Sequence, residues 1–309
     1  MSHHAPRYVI YGAGAVGGVI AGHLHRAGSE VTVIARGEHL ERILANGLLL
    51  DTGAGTQVIK AAAAPSAAGV AWSDETVVIL SVKSHQTLGA LSDLAAHAPP
   101  GTPIVCAQNG VANEREVLRH FAHTYAMTVM LPATHLVPGT VVCKSHPTPG
   151  ILDLGRYPNG TDDLCESVAR DLRAAGFAAQ ARPDIMAWKY RKLISNAVGD
   201  VATVLPDDPE IETLRGRVRD EGEAVLAAAG VPVVSQAQDR ERRGDLLRSR
   251  AEARGPNSLG QSLSRGTSGI EVDYRAGEIV LLGRLHGVPT PVNEQIQRAA
   301  HARLATGAG

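Results

Sequence analysis

Tyr8-Val9-Ile10-Tyr11-Gly12-Ala13-Gly14-Ala15-Val16-Gly17 decides the architecture of this chain. The first four residues predict a short buried strand, and the GxGxxG that follows opens a helix over about 15–27. A glycine hexapeptide alone is a weak signal, because such runs arise by chance. Its setting carries the information: Val31–Ile34 supplies a second strand within ~30 residues, after a Gly28 suited to a helix C-cap. Each glycine answers a separate demand. Gly12 allows the tight turn, Gly14 lets backbone approach a pyrophosphate, and Gly17 lets helix and strand pack closely. Ala15, Val16 and Gly17 then present N–H groups at the positive end of the helix dipole. A tight turn that binds nothing is the alternative.

Outward from the turn, strand and helix signals alternate. A short helix is expected over 38–45, strands at Thr76–Leu80 and Ile104–Cys106, and a helix over about 86–96. The low-complexity stretch 61–69 reads as a surface loop, and 124–154 as short β segments punctuated by prolines. After Pro183 the texture becomes helical, with segments expected over 184–204 (Asp184 as N-cap), 210–229, 235–254, 269–286 and 292–304. The expected fold class is α/β: an N-terminal Rossmann-type doubly wound sheet over 1–183, followed by an all-α domain over 184–309.

Composition narrows the function classes. Lys plus Arg number 30 against 31 Asp plus Glu, for a net charge of −1, and aromatics make up 3%. Neither number suits a nucleic-acid binder or an anionic-membrane binder. The 3 cysteines, Cys106, Cys143 and Cys165, contain no CxxC pair and read as small buried hydrophobes of a reducing compartment. No secretory signal pattern and no apolar run of ~18 residues is visible, so a cytoplasmic chain is expected. The 13 histidines show no HExxH or other ligand spacing, so no metal is expected. GxSxG and GxxxxGK[ST] are absent as well.

Several polar residues stand out. Where an NAD site carries Asp or Glu at the end of the second strand, this chain has Arg36, a cation suited to the 2′-phosphate of NADP. An ordinary surface arginine is the other reading. At about 100° per residue, Lys192, Asn196, Gly199, Asp200 and Thr203 share one helix face. It is either a solvated face or, given short polar groups around one lysine, the wall of a polar crevice. Glu271, Arg275 and Glu278 fall at i, i+4 and i+7, the pattern of a surface ion-pair ladder. Gln108-Asn109-Gly110 and Lys83 follow strands, at the sheet edge where open α/β folds bind ligands. A plain Asn-Gly turn is the alternative there.

Together these pieces resemble the ketopantoate reductase (2-dehydropantoate 2-reductase) family. They are Gly12–Gly17, Lys83, Gln108-Asn109-Gly110, Lys192-Leu193-x-x-Asn196, Ser258, Glu271-Val272-Asp273-Tyr274 and Gly287-Val288-Pro289-Thr290-Pro291-Val292-Asn293. The resemblance implies NADPH and a small 2-oxo acid meeting in a cleft between a Rossmann domain and a helical domain. It makes Lys192 the proton donor to the substrate oxygen and Glu271 the residue that positions Lys192 and anchors the substrate. Asn109, Asn196 and Ser258 would hold polar groups of the substrate, and Lys83 would lie near the cofactor, as would Asn109. A homodimer is compatible with it and not required. Two positions depart from the pantoate enzymes: Asp200 stands where they show a second asparagine, and Ser262 where they carry an aspartate. A carboxylate at 200 would favour a cation or amine. One alternative reading is a β-hydroxyacid or opine/imine-type dehydrogenase, whose amine-bearing substrates Asp200 would suit. Another, of a different class, is a non-catalytic dinucleotide sensor that keeps the Rossmann half.

Overall fold

The computed structural model describes residues 6–250 and 269–305. Two units separate within it. The sheet unit takes the described residues up to Gln108, Asn113–Ile185 and the described part of Arg243–Arg254. The helical unit takes Asn109–Ala112, Met186–Arg242 and the described part of Gly255–Gly309. The turn 109–112 goes with the helices, and the chain after Arg243 returns to the sheet.

Alternating apolar residues dictate the sheet unit. In β1 (Arg7–Tyr11), Tyr8 and Ile10 enter one apolar layer, while Val9 and Tyr11 enter the other. A strand buried on both faces needs helices on both sides, which is the doubly wound arrangement. On one face α1 (Ala15–Arg26) and α5 (Asp163–Ala174) contribute Ile20, Leu24, Val168 and Leu172. On the other, α3 (Thr87–His97) contributes Leu91 and Leu94. Each such side chain, fully buried, contributes about 1.5–3 kcal/mol.

The main sheet runs β12-β8-β7-β6-β1-β2-β5. Here β2 is Val31–Ile34, β5 Ala62–Ala64, β6 Thr76–Leu80, β7 Ile104–Cys106, β8 Thr124–Met127 and β12 Leu154–Arg156. All neighbours are parallel except β12, which is antiparallel to β8. The stretch 61–69 is therefore no surface loop: Ala62–Ala64 pairs with Thr32–Ile34, and Ala67 is buried. Alanine has low β-propensity, so nothing local advertised this strand; the backbone ladder of β2 makes it. A smaller sheet, β4-β3-β10-β9, joins the hairpin β3 (Leu48–Thr52)–β4 (Gly55–Ile59) to β9 (Ala133–Thr134) and β10 (Thr140–Cys143).

The helical unit contains α6 (Ile185–Val204), α7 (Ile211–Ala228), α8 (Gln236–Arg243), α9 (Gly269–Asp273), α10 (Ala276–His286) and α11 (Pro291–Ala305). Leu193, Ala197, Val201, Val218, Val225, Ile279 and Ile296 make its core. Glu221 of α7 caps α11: its carboxylate accepts the N–H groups of Val292 and Asn293, each at 2.9 Å, and Asn293 Nδ2 at 2.7 Å. Two expected helices are broken. The segment 235–254 ends its helix at Arg243, and Leu247–Ser249 forms β13, antiparallel to β11 (Ser145–Pro147) in the sheet unit. The segment 269–286 interrupts at Arg275, whose φ of −125° and ψ of −92° are not helical.

Candidate active site

The glycine turn is built as its residues require. Gly12 has φ +104°, and a Cβ there would stand 2.9 Å from Val82 Cγ1. At Gly17 a Cβ would come within 2.1 Å of the Gly12 carbonyl oxygen and 2.2 Å of Ser81 Oγ, so only glycine fits. Gly14 faces open space, with nothing within 4 Å of a built Cβ. It is also the N-cap of α1, with no side-chain cap and no acidic residue in the first turn. Ala15, Val16 and Gly17 thus open a 12-residue helix whose N-terminal N–H groups are left for an anion. A dinucleotide pyrophosphate fits these residues.

His39 of α2 (Gly37–Asn46) ties the turn down. Its Nδ1 accepts the Gly139 N–H at 2.8 Å, so the ring proton sits on Nε2 and is donated to the Ala13 carbonyl at 2.7 Å. Burial lowers the pKa of His39 and keeps this neutral tautomer, against the opposing pull of the Ala13 bond. Arg36, the N-cap of α2, is exposed at the end of β2, and its Nη2 donates to Tyr11 Oη at 3.3 Å. Lys83 caps the 3-10 turn Ser84–Gln86 after β6 and is half-buried. That loop is pinned by a chain of bonds: Gln108 donates to Val82 O and Thr87 Oγ1, Thr87 to Asn113, and Asn113 to Ser84.

In the helical unit, the polar face of α6 is not a solvated one. Lys192 and Asn196 are half-buried and Asp200 is 1% exposed. Asn196 Nδ2 donates to Asn109 Oδ1 at 3.2 Å, so the structure brings these two expected site residues together. Gly110, with φ +82°, lets the same turn lie against the Tyr274 carbonyl, 2.9 Å from where a Cβ would stand. The ladder expected at Glu271 and Arg275 is no surface feature either. Arg275 donates through Nη1 to Asp200 Oδ1 and through Nη2 to Glu271 Oε1, both at 2.8 Å, with the three side chains almost wholly buried. Asp200 Oδ2 has no hydrogen-bond partner among the described residues. Burial pushes the Asp200 carboxyl up to about 6, against Arg275, and Lys192 also acts to lower it. Glu278 is half-buried one turn on, its carboxyl raised by burial. Ser258 and Ser262 lie outside the described residues.

The pairing of Arg275 with Asp200 and the tie from His39 to the glycine turn were not legible in the sequence. Arg275 could have been flagged by the departure at 200, since a buried carboxylate calls for a cation. Nothing in sequence pointed to His39. Among the described residues, no cluster of three His, Cys, Asp or Glu could hold a metal ion, and no helix is long and apolar enough to cross a membrane.

Comparison with known proteins decides the relationship. The family model for ketopantoate reductase PanE/ApbA matches residues 8–159, and that for its C-terminal domain matches 184–304. The chain belongs to the ketopantoate reductase family. A 2-dehydropantoate 2-reductase of Pyrococcus horikoshii is 28% identical over 309 residues, covering 97% of this chain and 98% of the relative. The structure of a PanE/ApbA family ketopantoate reductase from Ralstonia eutropha JMP134 superposes with a TM-score of 0.82 at 27% identity, covering 98% of this chain and 100% of that one. A D-mandelate dehydrogenase shares the fold at 22% identity and a TM-score of 0.84, covering 98% and 100% of the two chains. As a ketopantoate reductase family member, the protein is an oxidoreductase acting on a CH–OH group.

Proposed function

We propose that this ketopantoate reductase family member uses NADPH to reduce a small, ketopantoate-like 2-oxo acid to the 2-hydroxy acid, with Lys192 as general acid. The observation that carries the reading is the polar face of α6, where half-buried Lys192 and Asn196 are flanked by Asn109 and by a buried Asp200–Arg275–Glu271 cluster. When bound, a reduced nicotinamide would supply the hydride for the carbonyl carbon. Negative charge then develops on the carbonyl oxygen, and the Lys192 ammonium stabilises it and gives up a proton to it. Asn196 and Asn109 orient polar groups of the substrate, and Glu271, fixed by Arg275, positions Lys192. For the cofactor, Arg36 favours a 2′-phosphate at the position where NAD sites place a carboxylate. Asp200 is engaged by Arg275, which weighs against an amine-bearing substrate.

The test is NADPH oxidation against a panel of aliphatic and aromatic 2-oxo acids that includes ketopantoate. Turnover with a branched aliphatic member is expected, and Lys192→Ala lowers kcat by ~10²-fold or more with cofactor affinity unchanged. Oxidation with none of them, despite tight NADPH binding, would overturn the substrate reading. Near-normal turnover in the variant would remove Lys192 from its role.

A further inference from the structure

Tyr11 is the last residue of β1, immediately before the glycine turn. Its ring is 2% exposed and packs in the apolar layer with Ile34, Leu80 and Leu91, which brings its hydroxyl to Arg36 and Asp93. A phenol has one proton to give, and here it goes to Asp93 Oδ2 at 2.6 Å. The Asp93 carboxylate is itself held in place. Its Oδ2 also accepts the Ala67 N–H at 2.9 Å, while the nearby His97 Nδ1 bonds the Asp93 backbone carbonyl at 2.9 Å. With the proton committed to Asp93, the phenol oxygen turns a lone pair to Arg36 Nη2, 3.3 Å away. Burial and the Asp93 bond raise the Tyr11 pKa to about 12, so this direction of donation persists at neutral pH.

We infer that Tyr11, backed by Asp93, is a specificity-determining residue for the dinucleotide: it holds the Arg36 guanidinium in the pose that meets a 2′-phosphate. The inference rests on the reading of Arg36 given above. Arg36 projects from an exposed helix N-cap, and a free arginine there would spread over many rotamers. One buried, oriented acceptor narrows that set before the cofactor arrives, and preorganisation of this kind appears as affinity. Tyr11 also keeps Arg36 from its competitor. The phenol occupies Asp93, and without it that carboxylate would be an acceptor for the guanidinium in place of phosphate. NADH carries no 2′-phosphate and is indifferent to all of this.

Dissociation constants for NADPH and NADH, measured by calorimetry on the full chain, test it in the wild type, Tyr11→Phe, Arg36→Ala and the double variant. Phenylalanine keeps the ring and its core contacts, so the fold is retained. Tyr11→Phe is expected to weaken NADPH about tenfold, the scale of one hydrogen bond to a charged group, and NADH less than about twofold. In the Arg36→Ala background it should add nothing further. Equal losses for the two cofactors, a Tyr11→Phe effect that persists without Arg36, or no NADPH loss at all would overturn the inference. If Arg36→Ala itself fails to discriminate between the cofactors, the 2′-phosphate reading falls and the inference with it.

Discussion

Asp200 is 1% exposed, and its carboxylate accepts a hydrogen bond from Arg275 Nη1 at 2.8 Å. As a letter in the chain it is a carboxylate where an amide is customary, and it suggested an amine ligand. In the fold it is the buried partner of Arg275, 75 residues away in sequence. No local rule couples positions so far apart, so the pairing was not legible, whereas Asn109 and Asn196 were found by their own motifs and do meet. The pairing has a consequence for pH. The Asp200 carboxyl titrates at about 6 in the fold against 3.8 ordinarily, because burial favours its neutral form. A raised pKa contributes stability that is present below about 3.8 and lost as pH rises to about 6. Compared with Asp200→Asn, the wild-type protein should therefore lose stability over that interval, as read from urea midpoints at each pH. A difference between the two that stays flat with pH would remove this account.

The strand–turn–helix element at residues 7–26 was the most legible part of the chain, because its rules are local. Positive φ, an uncapped helix start and close helix–strand approach each name glycine on their own. The geometry also separates the roles of those glycines. Gly14→Ala meets nothing within 4 Å, so the variant should fold with an unchanged Tm while losing dinucleotide affinity, since the added methyl group stands where a pyrophosphate must approach. Gly17→Ala places a methyl group 2.1 Å from a backbone oxygen and should cost ~1–3 kcal/mol of stability, visible in a melting curve. Normal cofactor binding by Gly14→Ala would mean that this turn is structural only. Elements set by distant partners were the ones missed. Ala62–Ala64 is a strand because β2 offers it a ladder, and Leu247–Ser249 because β11 does.

At the scale of the molecule, the excursion after Arg243 gives the sheet unit a clasp. Arg250 donates through Nη1 to the Cys143 carbonyl at 2.7 Å and through Nη2 to Asp51 Oδ1 at 3.2 Å, and its side chain is 12% exposed. Its backbone N–H bonds Lys144 O at 2.9 Å, alongside the β11–β13 pairing. Arg250→Ala should lower the unfolding free energy of the sheet unit by about 1–3 kcal/mol, from lost charge-assisted bonds and a buried carbonyl left unmet. An unchanged urea midpoint would show the clasp to be idle. The clasp also sets an order of events during synthesis. Leu247–Ser249 is translated about 100 residues after Ser145–Pro147, and at ribosomal rates of ~5–20 residues per second that is a wait of ~5–20 s. For that interval β11 is an open strand edge on a nascent chain, with Asp51 and the Cys143 carbonyl still unclasped.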